Sequence, residues 1–250
     1  MTLIFWCLSA IFLITGFSSV RIDIVNRCNH TIWPGIQGST PVENGGFKLN
    51  SGQSKSIDVP DRWTAGRIWA RTGCNGNMDC ETGFCKNNVQ CGGAGGRPPA
   101  SLAEFTLGGW GEQDYYDVSL VDGYNIQVTI EPIKGTYRTI GEKYDCKKAG
   151  KCRSNLLLSC PQPLRHLNSQ GYTVGCFSAC TKFNTDQYCC RGKFNTPQTC
   201  KLSNWPVNYP KYFKGNCPTA YSYIYDNKRS TFTCRGSNGR MSPDYRVTFC

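Results

Sequence analysis

The sequence is poor in histidine and in acidic residues. Its 250 residues include only 2 His, and 17 Asp and Glu stand against 28 Lys and Arg, which gives a formal net charge of +11. So few histidines argue against a histidine-rich metal site and against a proton relay through histidine. We therefore expect neither a metal nor a cofactor. Apolar runs of spanning length are also missing after residue 19, which excludes a multi-pass membrane protein.

The first 19 residues lack Asp, Glu, Lys and Arg altogether. Their apolar run, from Leu3 to about Phe17, is followed by the small residues Ser18 and Ser19, which suit a signal-peptidase site. The run is shorter than the ~20 residues that a membrane span needs, which disfavours the alternative of an uncleaved anchor. We interpret residues 1–19 as a secretory signal peptide and expect a secreted, extracellular protein.

Cysteine, in contrast, is abundant, with 17 residues. Only Cys7 lies within the predicted signal peptide, so the mature chain keeps an even number of cysteines. An even number behind a signal peptide predicts a fully paired framework of disulfide bonds. A zinc cluster is the alternative, but the spacing of Cys80, Cys85 and Cys91 does not suit paired metal-binding knuckles, and the adjacent Cys189-Cys190 fits poorly around one tetrahedral metal. Spacing alone does not give the pairing.

Apolar and polar residues alternate with a period of two in several segments. The clearest are 21–25, 125–130 and 245–249. This period indicates half-buried strands, and we predict a mainly β fold with an antiparallel β-sandwich at its core. Asp122-Gly123, between apolar segments on either side, predicts a hairpin turn that joins two neighbouring strands.

Two segments break this alternation and concentrate cysteine. Residues 74–91 hold four cysteines, and residues 152–217 hold eight together with several prolines and two candidate short helices, at Asn155–Ser159 and Phe177–Phe183. We predict that both are disulfide-bound loop domains that project from the sandwich. The predicted organisation is a signal peptide (1–19), a β-sandwich (20–71, 100–152 and 218–250), a small disulfide-rich domain (72–99) and a large disulfide-rich domain of loops and short helices (153–217).

Several strings in the sequence resemble the thaumatin-like proteins. They include GRIWARTGC from Gly66, SLAEF from Ser101, YYDVSLVDGYNIQVTI from Tyr115 and CPTAYSYIYD from Cys217, with FSACTKFNTDQYCC between the last two. The similarity extends from Ile22 to Cys250, and the cysteines of the mature chain occur in the family's order. The resemblance implies the sixteen-cysteine, pathogenesis-related form, with an antifungal role in defence.

The resemblance also implies which cysteines pair. The implied bonds are Cys28–Cys250, Cys74–Cys80, Cys85–Cys91, Cys146–Cys234, Cys152–Cys217, Cys160–Cys176, Cys180–Cys189 and Cys190–Cys200.

Many members of this family carry an arginine and four acids around a cleft between the sandwich and the large loop domain. Matched by local motif, these residues are Arg67, Glu104, Asp117, Asp122 and Asp226. Clustered carboxylates suit glycoside hydrolysis, which needs a proton donor and a second carboxylate. The resemblance implies β-1,3-glucan as the substrate class. Glu104 is the candidate general acid, Asp122 or Asp117 its partner, while Arg67 and Asp226 are candidate substrate-binding residues.

These residues leave several functions open. Binding of β-1,3-glucan or another carbohydrate of microbial walls, without hydrolysis, is the first hypothesis. An endo-β-1,3-glucanase is the second, and a non-catalytic membrane-permeabilising or inhibitor protein is the third. Asp122 and Asp117 could also serve only a turn and a solvated strand. Tyrosines near the acids offer rings that stack on sugars, although we expect most of them to pack in the sandwich.

The positive net charge predicts adsorption to anionic surfaces, including microbial walls and membranes. Nucleic acid is not an expected partner of a secreted, disulfide-bonded chain that has no recognition motif. We expect a monomer. Asn29-His30-Thr31 is a glycosylation sequon, and we expect Asn29 to lie in a strand.

Overall fold

The computed structural model describes residues 19–227 and 230–250. Most of the predicted signal peptide, residues 1–18, lies outside this range, whereas Ser19 is already the first residue of a strand and pairs with Pro60. No helix among the residues so described is long and apolar enough to cross a membrane.

Thirteen strands and three short α-helices form the described fold, which is mainly β as predicted. The strands are β1 (Ser19–Asn26), β2 (Trp33–Gln37), β3 (Ser54–Pro60), β4 (Gly66–Cys74), β5 (Cys80–Thr82), β6 (Leu102–Gly109), β7 (Gln113–Ser119), β8 (Val128–Pro132), β9 (Tyr137–Arg138), β10 (Arg165–Leu167), β11 (Thr173–Cys176), β12 (Phe232–Gly236) and β13 (Tyr245–Phe249). The helices are α1 (Ala179–Phe183), α2 (Asp186–Cys189) and α3 (Tyr209–Asn216).

Two sheets pack face to face as the sandwich. The larger sheet has the order β2-β4-β6-β7-β12-β9, with β5 paired to β4, and the smaller has the order β3-β1-β13-β8. The alternation predicted for the first and last strands is observed: Ile22 and Ile24 of β1 and Val247 of β13 are fully buried. The rings of Phe105 and Tyr245, from opposite sheets, lie 5.3 Å apart, so the core is continuous between the sheets.

The smaller sheet departs from a purely antiparallel arrangement. Strands β1 and β13 are parallel, with Ile22 opposite Tyr245 and Ile24 opposite Val247. A parallel pair cannot be joined by a tight turn, but these strands are the first and the last of the described fold and need no direct connection. The disulfide Cys28–Cys250 joins the chain segments that follow these two strands.

The hairpin predicted at Asp122-Gly123 is wrong. A turn does occur there, with the Gly123 amide donating to the Leu120 carbonyl at 2.9 Å. Strand β7 before the turn belongs to the larger sheet, however, and β8 after it belongs to the smaller one. The turn therefore carries the chain from one sheet to the other. The hairpin prediction failed because alternation identifies strands without identifying the strand that each one pairs with.

All sixteen cysteines from Cys28 onward form disulfide bonds, in the same eight pairs that the resemblance implies. The predicted helix at residues 155–159 is a 3-10 turn, Leu156–Leu158, and the one at 177–183 is α1. The small cysteine-rich segment contributes β5, which extends the larger sheet beside β4. Its loop is held by Arg71, a fully buried residue of β4 whose guanidinium donates to the carbonyls of Asn88 and Val89.

Candidate functional site

Three adjacent strands of the larger sheet place an arginine and two acids in one row. Arg67 of β4 lies directly opposite Glu104 of β6, and Glu104 lies directly opposite Asp117 of β7. Directly opposed residues in an antiparallel pair have side chains on the same face, with Cβ atoms roughly 4.5–5.5 Å apart. The strand register therefore brings the three side chains together, as the resemblance implied.

Glu104 is held by Arg67. The Arg67 Nε donates to Glu104 Oε1 at 2.9 Å, and the Glu104 side chain keeps 27% of its surface exposed. Burial nevertheless raises the pKa of Glu104 above its usual value, and the charge of Asp122 adds to this effect, while Arg67 and the Ser119 hydroxyl counteract it. A glutamic acid with a raised pKa retains a proton to higher pH, as a proton donor requires.

Asp117 is the least satisfied acid of the row. Burial raises its pKa well above the usual range, and the neighbouring Glu104 raises it further. Its buried Oδ1 has no hydrogen-bond partner within residues 19–227 and 230–250. An unsatisfied buried acceptor costs ~1–3 kcal/mol, so this oxygen is a favourable site for a donor from a ligand.

Asp122 comes to the row from the turn that leads out of β7. Burial raises its pKa, and the positive charge of Arg67 opposes the rise. The turn depends on Gly123, which has a φ of +98° and whose added Cβ would lie 2.5 Å from the Cys176 carbonyl oxygen. Glycine is required here, because other residues rarely adopt this conformation and the neighbouring backbone leaves no room.

The acids line a cleft with a volume of about 260 Å³. The other residues of its lining are mostly apolar or aromatic: Leu102, Val121, Tyr221 and Ile224, together with Ser119. Sequence reasoning overlooked Ser119, although it lies two residues after Asp117 and therefore on the same face of β7. Of the tyrosines near the acids, Tyr221 lines the cleft, whereas Tyr116 is fully buried in the sandwich.

Asp226 has different surroundings from the other four residues. Its Oδ2 accepts hydrogen bonds from the Ser222 hydroxyl at 2.8 Å and from Lys214 Nζ at 2.9 Å. Lys214 also donates to the Ala220 carbonyl at 3.0 Å, so the pair anchors the loop that carries Tyr221. In the part of the chain that is described, the cleft lining includes Arg67, Glu104, Asp117 and Asp122 but not Asp226.

Other sequence-predicted features lie away from the cleft. Asn29 is exposed in a bend after β1, not in a strand as expected, and its Oδ1 lies 3.0 Å from His30 Nδ1. Exposure of this kind suits an acceptor for glycosylation. No group of three or more His, Cys, Asp or Glu residues suited to a metal ion occurs among the described residues.

The arrangement combines three carboxyl groups, a guanidinium and an apolar wall in one cleft. Carboxylates accept hydrogen bonds from hydroxyl groups, and apolar side chains pack on the C–H faces of a sugar ring. Glycoside hydrolysis requires a carboxyl group that is protonated and a second that is ionised, and neighbouring carboxyl groups can supply this pair.

The sequence and fold are similar to those of known proteins. Pathogenesis-related protein 5 of Arabidopsis thaliana is 46% identical over 248 residues, which cover 96% of this chain and 95% of the relative. A glucan endo-1,3-beta-glucosidase of Prunus avium is 44% identical over 243 residues, covering 94% and 92%. The fold is similar to that of a laminaripentaose-producing beta-1,3-glucanase, with a TM-score of 0.58, 11% identity and coverage of 92% and 98%. The thaumatin family model matches residues 26–250, and the chain therefore belongs to the thaumatin family.

Proposed function

We propose that this protein is a secreted defence protein that binds β-1,3-glucan of microbial cell walls in the acidic cleft. The observation that carries the proposal is the buried Oδ1 of Asp117, which has no hydrogen-bond partner in the described residues although Asp117 lines the cleft. A sugar hydroxyl that donates to this oxygen would satisfy it. Binding would then remove a cost that the free protein carries.

The remaining groups of the cleft suit a neutral polyol. Arg67 donates from the edge of the row, and Glu104 offers a carboxyl group that is only partly exposed. Leu102, Val121 and Ile224 add apolar side chains to the lining of the same cleft. A ligand with hydroxyl groups on its rim and C–H groups on its faces matches this mixture of polar and apolar groups, as a glucan chain does.

Two relatives support the biological setting of the proposal. The relative from Arabidopsis thaliana is named a pathogenesis-related protein, and the one from Prunus avium is named a glucan endo-1,3-beta-glucosidase. The predicted signal peptide and the eight disulfide bonds support secretion, because disulfides persist in oxidising compartments.

Hydrolysis of the bound glucan is the second candidate function, and the raised pKa of Glu104, directly opposite the second carboxyl group of Asp117, favours it. Glu104 would protonate the glycosidic oxygen, and Asp117 or Asp122 would attack the sugar or activate water. The stereochemical outcome depends on the separation of the two carboxyl groups, ~5–5.5 Å for a retaining enzyme and ~6.5–9.5 Å for an inverting one.

Calorimetric titration with a β-1,3-linked glucose hexasaccharide tests binding. We expect Asp117→Asn and Glu104→Gln to weaken affinity at least ~10-fold, which corresponds to the loss of about 1.4 kcal/mol. Asp58→Asn is the matched control, because Asp58 is an exposed acid on β3 of the other sheet. Equal affinities in the wild type and both cleft variants would refute the proposed site.

Release of reducing ends from linear β-1,3-glucan, measured on the same proteins, separates binding from hydrolysis. Release that disappears in Glu104→Gln establishes the glucanase with Glu104 as its acid. Binding without release leaves a glucan-binding protein. If neither binding nor release occurs, leakage of dye from vesicles that is unaffected by Glu104→Gln would favour a permeabilising protein instead.

A further inference from the structure

A second polar cleft, of about 440 Å³, lies at the end of the larger sheet where β9 pairs with β12. Three arginines line it, Arg138 of β9, Arg235 of β12 and Arg240 of the loop that follows, together with Glu112 from the β6–β7 turn. None of these residues takes part in the acidic cleft. Three arginines against one glutamate give this cleft an excess of positive charge.

Two of the arginines lie on neighbouring strands at opposed positions. Arg138 and Arg235 are directly opposite in the antiparallel β9–β12 pair. Like charges in this position destabilise a sheet. In the described parts of the chain, neither guanidinium forms an ion pair within 4 Å, and Arg235 Nη1 is buried without a hydrogen-bond partner. A buried cationic donor without an acceptor is costly, and an anion would satisfy it.

The nearby acids do not cancel this charge. Arg240 is ion-paired with Asp244, which neutralises one of the three arginines. Glu112 contributes one further negative charge to the lining, so a net positive charge remains. The two ends of the loop after β12 approach each other closely: a Cβ added at Gly236 would lie 2.4 Å from the Arg240 carbonyl oxygen, so only glycine allows this approach.

We propose that this cleft binds a phosphate group between Arg138 and Arg235. Guanidinium groups present paired N–H donors that match the oxygens of a phosphate, and such charge-assisted hydrogen bonds are stronger than neutral ones. The same chemistry is available from a soluble phosphate ester or from the headgroup of an anionic lipid. Trp110, which is 86% exposed, lies in the same β6–β7 turn as Glu112 and offers an aromatic contact to a lipid surface.

Titration with inorganic phosphate at pH 7 tests the site, with sodium chloride used to keep the ionic strength constant. We expect saturable binding that Arg138→Gln weakens ~10-fold and that Glu112→Gln strengthens ~3-fold. Arg138 is exposed, so its substitution leaves the fold intact, and an unchanged melting temperature checks this. Arg153→Gln is the matched control, because Arg153 is an exposed arginine outside the cleft.

The opposite effects of Arg138→Gln and Glu112→Gln, with no effect of Arg153→Gln, would support the site. Absence of saturable binding, or equal weakening by Arg138→Gln and Arg153→Gln, would overturn it. The source of the phosphate is distinguished with phosphatidylcholine vesicles that contain or lack phosphatidic acid. Phosphatidic acid-dependent binding that Trp110→Ala weakens, at unchanged affinity for inorganic phosphate, assigns a lipid headgroup. Phosphate binding without such vesicle binding assigns a soluble phosphate ester.

Discussion

Strand β7 carries one acid toward each face of the larger sheet, and the two have opposite surroundings. Asp114 points into the sandwich, where it is fully buried and accepts hydrogen bonds from the Gly108 amide, the Ser242 hydroxyl and the Tyr245 hydroxyl. Asp117, three residues later and therefore on the other face, has a buried oxygen without any such partner in the described chain. The fold satisfies the first carboxyl group and leaves an oxygen of the second without a hydrogen-bond partner in the described residues.

The comparison shows how one residue type serves stability on one face and a candidate site on the other. Burial raises the pKa of both acids, so a raised pKa does not by itself distinguish them. Hydrogen-bond satisfaction does distinguish them, because native folds pair almost all of their buried polar groups. Asp114 follows this rule, and Asp117 is an exception to it.

The core face should tolerate substitution least. Phe105→Ala removes a ring that is 2% exposed and contacts Tyr245 of the other sheet. We expect the free energy of unfolding to fall by about 3–5 kcal/mol, because the cavity cannot collapse in a disulfide-bound sandwich. Denaturant unfolding measures the change. Thr106→Ala, the next residue on the opposite face of β6, is the control, and an equal loss in both variants would remove the distinction between the faces.

Arg71 lies on the same face as Arg67, four residues along β4, but it is covered by the small cysteine-rich segment. Its guanidinium donates to three backbone carbonyls, those of Trp33, Asn88 and Val89. Arg71→Gln leaves some of these carbonyls without a hydrogen-bond donor, and we expect the free energy of unfolding to fall by about 2–4 kcal/mol. Hydrogen exchange should show faster opening at residues 85–91. Unchanged exchange there would mean that the two local disulfides hold the loop without Arg71.

The raised pKa of Asp114 predicts that the folded protein becomes more stable in mild acid. Burial raises its pKa to about 6 from the usual 3.8, so the folded protein takes up the proton at higher pH than the unfolded chain. Stability should therefore rise as the pH falls from 7 toward 4, by at most about 3 kcal/mol from this group. Thermal unfolding of the wild type and Asp114→Asn across this range measures the effect. The difference in stability between the wild type and Asp114→Asn should itself vary with pH. A difference that stays constant would contradict the raised pKa of Asp114.

Replacing Asp117 should change stability only slightly. Asp117→Asn removes a carboxyl group whose ionised form is poorly solvated, so we expect the free energy of unfolding to increase by about 1 kcal/mol at neutral pH. Glucan affinity should fall in the same variant. A variant that loses both stability and affinity would indicate that Asp117 supports the fold, as Asp114 does.

The sequence predicted the fold class and the regions of disulfide bonding well, for identifiable reasons. The alternation in β1 and β13 records which side chains are buried, and this pattern is local. The pairing of β1 with β13 is not local, and neither is the crossing from β7 to β8 at Asp122-Gly123, where a hairpin prediction failed. A turn motif specifies a change of direction but not the sheet in which the next strand pairs.

The sequence also indicated which residues of the candidate site lie close together, while their roles remain predictions. Motifs that resemble the thaumatin family pointed to Arg67, Glu104, Asp117 and Asp122. The strand register brings the first three together, and the turn after β7 adds Asp122 to the same cleft. They pointed equally to Asp226, whose bonds to Ser222 and Lys214 became visible only in the structure. A motif identifies a residue but not the partners that it meets after folding.

By itself, the sequence determined the mainly β class, the even number of cysteines from Cys28 onward, and the acids that a family resemblance selects. Tertiary structure alone decided which acid is satisfied and which is not, since Asp114 meets Ser242 and Tyr245 only when distant strands pack together. The same holds for Arg138 and Arg235, which become neighbours through the pairing of β9 with β12. Local patterns record burial, whereas hydrogen-bond partners and charge neighbours come from contacts between residues far apart in the chain.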